Sequence, residues 1–326
     1  MDKKTNIYQV TDSNIWSGRT SDNALYFHEI VQCADLSTSS RLPNTDGSIA
    51  LLGYACEEGV RRNQGRIGAI QGPDSIRKQM AKLPHHLTPK VPLFDVGTLS
   101  CVTDNLEEVQ ESLAITVSSL LEQNTFPILL GGGHDIAYGH YKGIRNYLTK
   151  KEGKKRIGII NFDAHFDLRS PRQGANSGTP FYQIAQDCIA EGHVFKYLCL
   201  GIREDANTAT LFQTAERFGV HYILNTAFKI NYLEAIQKEL LQFIDQVDHL
   251  YVTIDMDGFS SAYAPGVSAA SPMGFSPDVV LEVLELLIDS KKIISLDIAE
   301  LNPVYDRDHQ TAKLAASLIH FIVHRL

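Results

Sequence analysis

The stretch RIGIINFDAHFD, Arg156 to Asp167, decides how the rest of the chain is read. Its IGII core is apolar at successive positions, as in a strand buried on both faces of a sheet. The polar residues arrive together, as Asp163-Ala164-His165-Phe166-Asp167, where that strand should end. In an extended chain residues 163, 165 and 167 point to one side. Two carboxylates and an imidazole then crowd one small volume, where repulsion and desolvation are costly without a cation. A solvated strand end is the plain alternative, but three such groups at spacing two point to a metal site.

Outward from this stretch, similar short runs recur at 49–54, 91–96, 127–130, 197–200, 221–224, 250–254 and 293–298. Between them lie helical patterns at 106–121, 136–148, 233–244, 277–288 and 312–324. Alternating β and α units predict an α/β three-layer sandwich: a mainly parallel, roughly eight-stranded sheet with helices on both faces. No linker or internal repeat breaks the pattern. The expectation is one domain over residues 1–326, with the less regular residues 1–45 as an N-terminal extension.

Composition excludes several classes. A formal charge of −8 leaves no basic surface to displace counterions from phosphates, so nucleic acid is not an expected partner. The lysine-rich run 151–155 reads as a solvated loop. The N-terminus has no apolar signal core, and no run approaches the ~18 apolar residues of a membrane span. The five cysteines are scattered and fit no zinc or redox spacing, which suits reduced thiols in a cytoplasmic protein.

Ligands of open α/β sheets gather beyond the carboxyl ends of the strands. Two more motifs belong there. Gly131-Gly132-Gly133-His134-Asp135 follows the 127–130 run, its glycines allowing a sharp turn before a helix. Asp255-Met256-Asp257 closes the 250–254 run. With the first motif they offer His134, Asp163, His165, Asp167, Asp255 and Asp257. Hard oxygens with imidazole and no thiolate suit Mn2+ better than structural zinc. Six ligands exceed the need of one open catalytic ion and match two. Four carboxylates balance two divalent ions, and a hydroxide between them leaves a slight negative charge that favours a cationic substrate group.

GGGHD, DAHFD and TIDMDGF, in this order, resemble the three metal-binding signatures of the arginase/agmatinase (ureohydrolase) superfamily. SLDIAELNP, residues 295–303, resembles its fourth, whose glutamate, here Glu300, contacts the cationic group of the substrate. The resemblance runs from about residue 49 to the C-terminus. It implies two Mn2+ ions per chain, one on His134, Asp163, Asp167 and Asp255, the other on His165, Asp163, Asp255 and Asp257. It also implies a homo-oligomer.

Finer marks resemble the branch of that family that releases formamide from N-formimidoyl-L-glutamate in histidine degradation. They are GVRRNQGRIGAIQGPDSIR (59–77), Leu168-Arg169, the run Ser177-Gly178-Thr179-Pro180-Phe181, Asn207-Thr208, and AYAPGVSAASP (262–272). Such a substrate carries two carboxylates around its amidinium, and Arg169 can pair with one of them bidentately. Ser177, Thr179 and Asn207 are further expected substrate contacts; an ion pair is the plain alternative for Arg169, and solvent for Arg172. The loop 170–181 lacks the histidine that arginases are thought to use for proton transfer. Asp167 is then expected to handle the proton, with Glu300 as its catalytic companion on the cation. His140 lies about 240° round the helix from His134 and should face elsewhere. The alternatives are a guanidino-group hydrolase releasing urea and a non-catalytic metal-dependent assembly protein.

Overall fold

A strand that is apolar on both faces needs a helical layer on each side, and the chain supplies both. The computed structural model describes residues 7–38, 41–43, 47–87, 91–101, 104–153 and 155–326. Lys154 of the lysine-rich run, and residues 1–6, 39, 40, 44 and 45 of the expected extension, lie outside them. Among the described residues ten strands form one sheet: β1 (Tyr8–Gln9), β2 (Gln32–Cys33), β3 (Ser48–Ala55), β4 (Leu93–Ser100) and β5 (Thr125–Leu130), then β6 (Ile157–Phe162), β7 (Lys196–Ile202), β8 (His221–Leu224), β9 (His249–Asp255) and β10 (Ile293–Ala299). Their order is β1-β4-β3-β5-β10-β9-β6-β7-β8, with β2 also on β4. Every pairing is parallel except that of β1 with β4.

The sheet exceeds the expected eight strands by the two-residue pieces β1 and β2. Both pair with β4 and cover its outer edge, where open backbone groups would otherwise face solvent. Their segment is anchored by a buried charge: Asp95 accepts from Trp16 Nε1 at 2.7 Å, Thr11 Oγ1 at 2.8 Å and Arg77 Nε at 2.8 Å. Two residues are too few to show a period, so sequence patterning passes over such strands.

Side chains alternate between two cores. Ile128, Leu130, Ile160, Phe162, Val252, Ile254, Leu296 and Ile298 meet helices Gly72–Met80, Leu233–Ile244, Pro277–Asp289 and Gln310–Val323. Leu129, Ile159, Tyr197, Tyr251 and Ala299 meet Leu106–Glu122, Ile136–Lys151, Pro180–Ala190 and Ala209–Arg217 on the other face. The three-layer α/β sandwich read from the sequence is the observed architecture.

One feature of the sheet positions the site. The four strands that precede the chemical motifs, β5, β10, β9 and β6, are neighbours. Their ends form one row: Leu130 pairs with Ile298, Ile298 with Ile254, and Ile254 with Phe162. Four motifs remote in sequence therefore leave the sheet at one level of one edge.

Candidate metal centre and its cavity

His134, Asp163, Asp167 and Asp255 offer ligand atoms that all lie within 4.8 Å of one another, and Asp163, His165 and Asp257 form a second such group. Asp163 belongs to both. Asp255 falls in the first group only, which differs from the expected double bridge. Its Oδ1 accepts the Asp257 N–H at 2.7 Å, while the other side of the carboxylate faces His134 Nδ1 at 3.0 Å.

The grouping matches the sequence reading, but its local cause differs. The chain after Phe162 bends at once and does not continue as a strand. Asp163 Oδ1 accepts the His165 N–H at 2.6 Å, and Asp167 takes φ 48°. Glu300, at φ 65°, also stands in the left-handed region. The bend is held from outside by Asn207, which accepts the Phe166 N–H at 3.0 Å and donates to Ala164 O at 2.8 Å. The triple glycine serves close approach. A Cβ at Gly131 would come within 2.4 Å of Ile298 O, and one at Gly132 within 2.0 Å of Cys56 O.

His134 shows what the cluster is built to hold. Its Nε2 lies 3.0 Å from Thr253 Oγ1, and Thr253 spends its own proton on Asp297 Oδ1 at 2.5 Å. His134 Nε2 must therefore donate, which leaves Nδ1 as the inward lone pair. That atom is buried without a hydrogen-bond partner and lies 2.9–3.2 Å from oxygens of Asp163, Asp167 and Asp255. Asp257 Oδ1 is likewise buried and unpartnered. Lone pairs and carboxylates this close need a cation among them, and the hard donor set fits Mn2+.

The titration tendencies say the same. Burial works to lower His134, yet the close carboxylates of Asp163, Asp167 and Asp255 raise it well above the usual range, a proton serving where a metal would. Burial works to lower His165 as well, and the charge of Asp257 heads the effects that raise it. Burial and then the charge of Asp163 raise Asp167. Burial followed by the charges of Asp257 and Asp163 lifts Asp255 strongly. Glu300 is pushed up to about 8 by burial and then by the charge of Asp257.

Behind His134 lies a network that sequence reading missed. Asp297 also accepts from Tyr251 Oη at 2.5 Å and faces His140 Nδ1 at 2.6 Å; His140 Nε2 meets Ser295 Oγ at 2.6 Å. His140 does face away from the cavity, but into the group that orients a metal-facing histidine from the rear. Such outer contacts fix ligand tautomer and direction. The signal was available, since Thr253 and Asp297 stand inside the motifs TIDMDGF and SLDIAELNP.

A cavity of about 280 Å3 opens over the cluster, lined by His134, His165, Asp167, Asp255, Asp257 and Glu300 at the floor, and by Asn63, Arg66, Arg169 and Ser177 among the rest. Glu300 Oε1 accepts the His134 N–H at 2.8 Å, so it supports the turn as well as facing the cavity. Arg169 Nη1 donates to Asn63 Oδ1 at 2.8 Å, and Asn63 Nδ2 donates to Ser177 Oγ at 3.1 Å. Asn63 thus ties two expected substrate contacts together. Thr179 and Asn207 do not reach the cavity. Thr179 is fully buried, with Oγ1 2.8 Å from Gln183 Oε1 and accepting from the Asn176 N–H at 3.0 Å; the amide of Asn207 is spent on the 164–166 bend.

The model of the Arginase family matches residues 47–324. A formimidoylglutamase of Clostridium tetani is 40% identical over 324 residues, covering 97% of this chain and 95% of that protein. The crystal structure of formimidoylglutamase from Bacillus subtilis superposes with a TM-score of 0.80 at 22% identity, covering 95% of this chain and 94% of that one. That of a Trypanosoma cruzi formiminoglutamase with Mn2+2 gives 0.75 at 24% identity, covering 89% and 96%.

Proposed function

The chain belongs to the arginase family, and from that premise we propose that it hydrolyses N-formimidoyl-L-glutamate to L-glutamate and formamide with two Mn2+ ions. The observation that carries this reading is the union of a doubly grouped His/Asp floor, which shares Asp163, with a rim bearing Arg169. A negative floor draws a cation and a basic rim draws carboxylates, which is the charge pattern of an amidinium flanked by acids.

His134, Asp163, Asp167 and Asp255 would hold one ion, and Asp163, His165 and Asp257 the other. When bound, Mn2+ supplies Lewis-acid charge that makes water a competent nucleophile near neutral pH. The protein's own part follows from geometry. Glu300 fixes the amidinium, and a cation beside it opposes the burial that raises its carboxyl. Water adds to the formimidoyl carbon; the C–N bond to glutamate then breaks as its nitrogen takes a proton. Asp167, beside His134 at 2.9 Å and at the cavity floor, carries that proton in this reading. His134 and His165 are the histidines among the described lining residues, and both belong to the metal groups.

Homo-oligomeric assembly and a cytoplasmic setting are part of the proposal, the first supported by family resemblance and the second by five cysteines scattered in no zinc or redox spacing. Among the described residues no helix is long and apolar enough to cross a membrane. The test is product analysis with added Mn2+: formamide from formimidoylglutamate, and little urea from arginine or agmatine. Dominant urea release would overturn the substrate assignment.

A further inference from the structure

We infer that Arg66 is a second specificity-determining residue, taking the substrate carboxylate that Arg169 leaves unmet. The inference rests on the proposed substrate. Two sequence segments, 59–77 and 262–272, have a purpose that the metal centre does not explain. The structure packs them together at the cavity wall. Arg66 N–H donates to Ser268 Oγ at 2.8 Å, Arg66 Nε to Ser268 O at 2.9 Å and Nη2 to Val267 O at 2.6 Å. The guanidinium carbon lies 3.9 Å from the centre of the Tyr305 ring. The plane of the arginine is thus fixed by carbonyls on one edge and an aromatic face below, while Nη1 has no hydrogen-bond partner among the described residues.

Fixing a guanidinium in this way lowers the entropy lost when it grips an anion. Arg66 lines the cavity together with Arg169, and neither forms an ion pair with a carboxylate among the described residues. Arg61, Arg62, Arg77, Arg145, Arg156, Arg203 and Arg325 do form such pairs, whereas Arg19, Arg172, Arg217 and Arg307, which do not line the cavity, share the lack of one among the described residues. The two cavity arginines hang from different supports, Arg169 from Asn63 and Arg66 from the 267–268 backbone. Between those supports Gln64 stands at φ 62°, a left-handed conformation unusual for glutamine, and it also lines the cavity. Strain of this kind persists where surrounding contacts over-determine the loop. A substrate with one cation and two carboxylates would find a carboxylate-rich floor and two separately mounted cationic arms.

The test removes one carboxylate at a time from the substrate. Wild type, Arg66→Met and Arg169→Met, all loaded with Mn2+, are assayed for formamide with three amidines. These are N-formimidoyl-glutamate, N-formimidoyl-4-aminobutyrate without the α-carboxylate, and N-formimidoyl-2-aminobutyrate without the γ-carboxylate. On the full substrate each variant should raise KM about tenfold to a hundredfold, with kcat changing much less. The Arg66→Met penalty should vanish with one truncated amidine, and the Arg169→Met penalty with the other. Arg66→Lys should recover part of the loss. Equal penalties on all three amidines would mean that Arg66 only braces the 267–268 loop. Both arginines answering to the same carboxylate, or no penalty at Arg66, would also overturn the inference. If wild type releases no formamide from any of the three, the substrate assignment itself fails and takes this inference with it.

Discussion

Asp167 and Glu300 carry positive φ, at 48° and 65°, although neither is glycine or asparagine. Such conformations cost on the order of 1–3 kcal/mol each and persist where the surroundings impose them. Here they turn two carboxylates inward over one cavity. Replacing Glu300 by Gln keeps its size and its acceptor for the His134 N–H while removing the charge proposed to hold the amidinium. The variant should fold and keep both ions, yet lose ~2–4 kcal/mol of transition-state stabilisation in kcat/KM. Near-normal turnover with both metals present would reduce Glu300 to its bracing role. At this scale the candidate ligand residues were legible, because acids and histidines at spacing two directly after buried strands have few other uses. The supports were less so: Asn63 lies 106 residues from Arg169, and no local pattern announces that bond. Thr179 and Asn207 show the converse, polar residues in telling motifs that are consumed by holding turns.

At the scale of elements, β9 and β10 do more than end beside the metal groups. Thr253 and Asp297, paired across these strands, form the acceptor chain behind His134. Thr253→Val conserves shape but strands the His134 Nε2–H and removes one donor from Asp297. Mn2+ affinity should fall about 10–100-fold. Stability without metal should fall by roughly 1–3 kcal/mol, the cost of unmet buried polar atoms. Unchanged metal affinity, measured by competition with a chelator, would show that His134 does not depend on this chain for its orientation. Most of the eight longer strands were visible as apolar runs because burial on both faces removes the polar half of the pattern, the edge strand β8 being the exception with its exposed His221 and Tyr222. Their order was not, since β10 enters between β5 and β9 through pairings that local sequence does not encode.

For the molecule as a whole, a group of histidines joins the N-terminal segment to the last helix, apart from the candidate metal groups. His324 Nε2 accepts the His86 N–H at 2.8 Å, His320 Nε2 lies 3.0 Å from Pro84 O, and Phe27 packs edge-on against His85, His320 and His324. Burial and then the charge of the neighbouring His324 hold His320 below its ordinary value of 6.5. Burial does the same to His324, opposed by its bond to the His320 carbonyl and aided by His86, His85 and Arg325. The unfolded chain therefore takes up protons here at higher pH than the native one. The resulting stability is fully present above pH 6.5 and is lost as pH falls through the lowered native values. Denaturation midpoints should decline as pH falls below 6.5, and the double variant His320→Gln, His324→Gln should flatten that decline. An equally steep decline in the variant would place the sensitivity elsewhere, in the carboxylates of the floor.

The aligned row of strand ends, Leu130, Ile298, Ile254 and Phe162, also governs which changes of length the gene can accept. Side chains alternate with period two along a strand, so inserting one residue within β5, β6, β9 or β10 exchanges the faces of everything beyond it and turns ligands out of the cluster. At the opposite edge, where the chain enters these strands, longer connections cost little loop entropy and do not disturb the row. Insertions and deletions should therefore collect on the entry side of the sheet, leaving the spacing from strand to motif fixed to the residue.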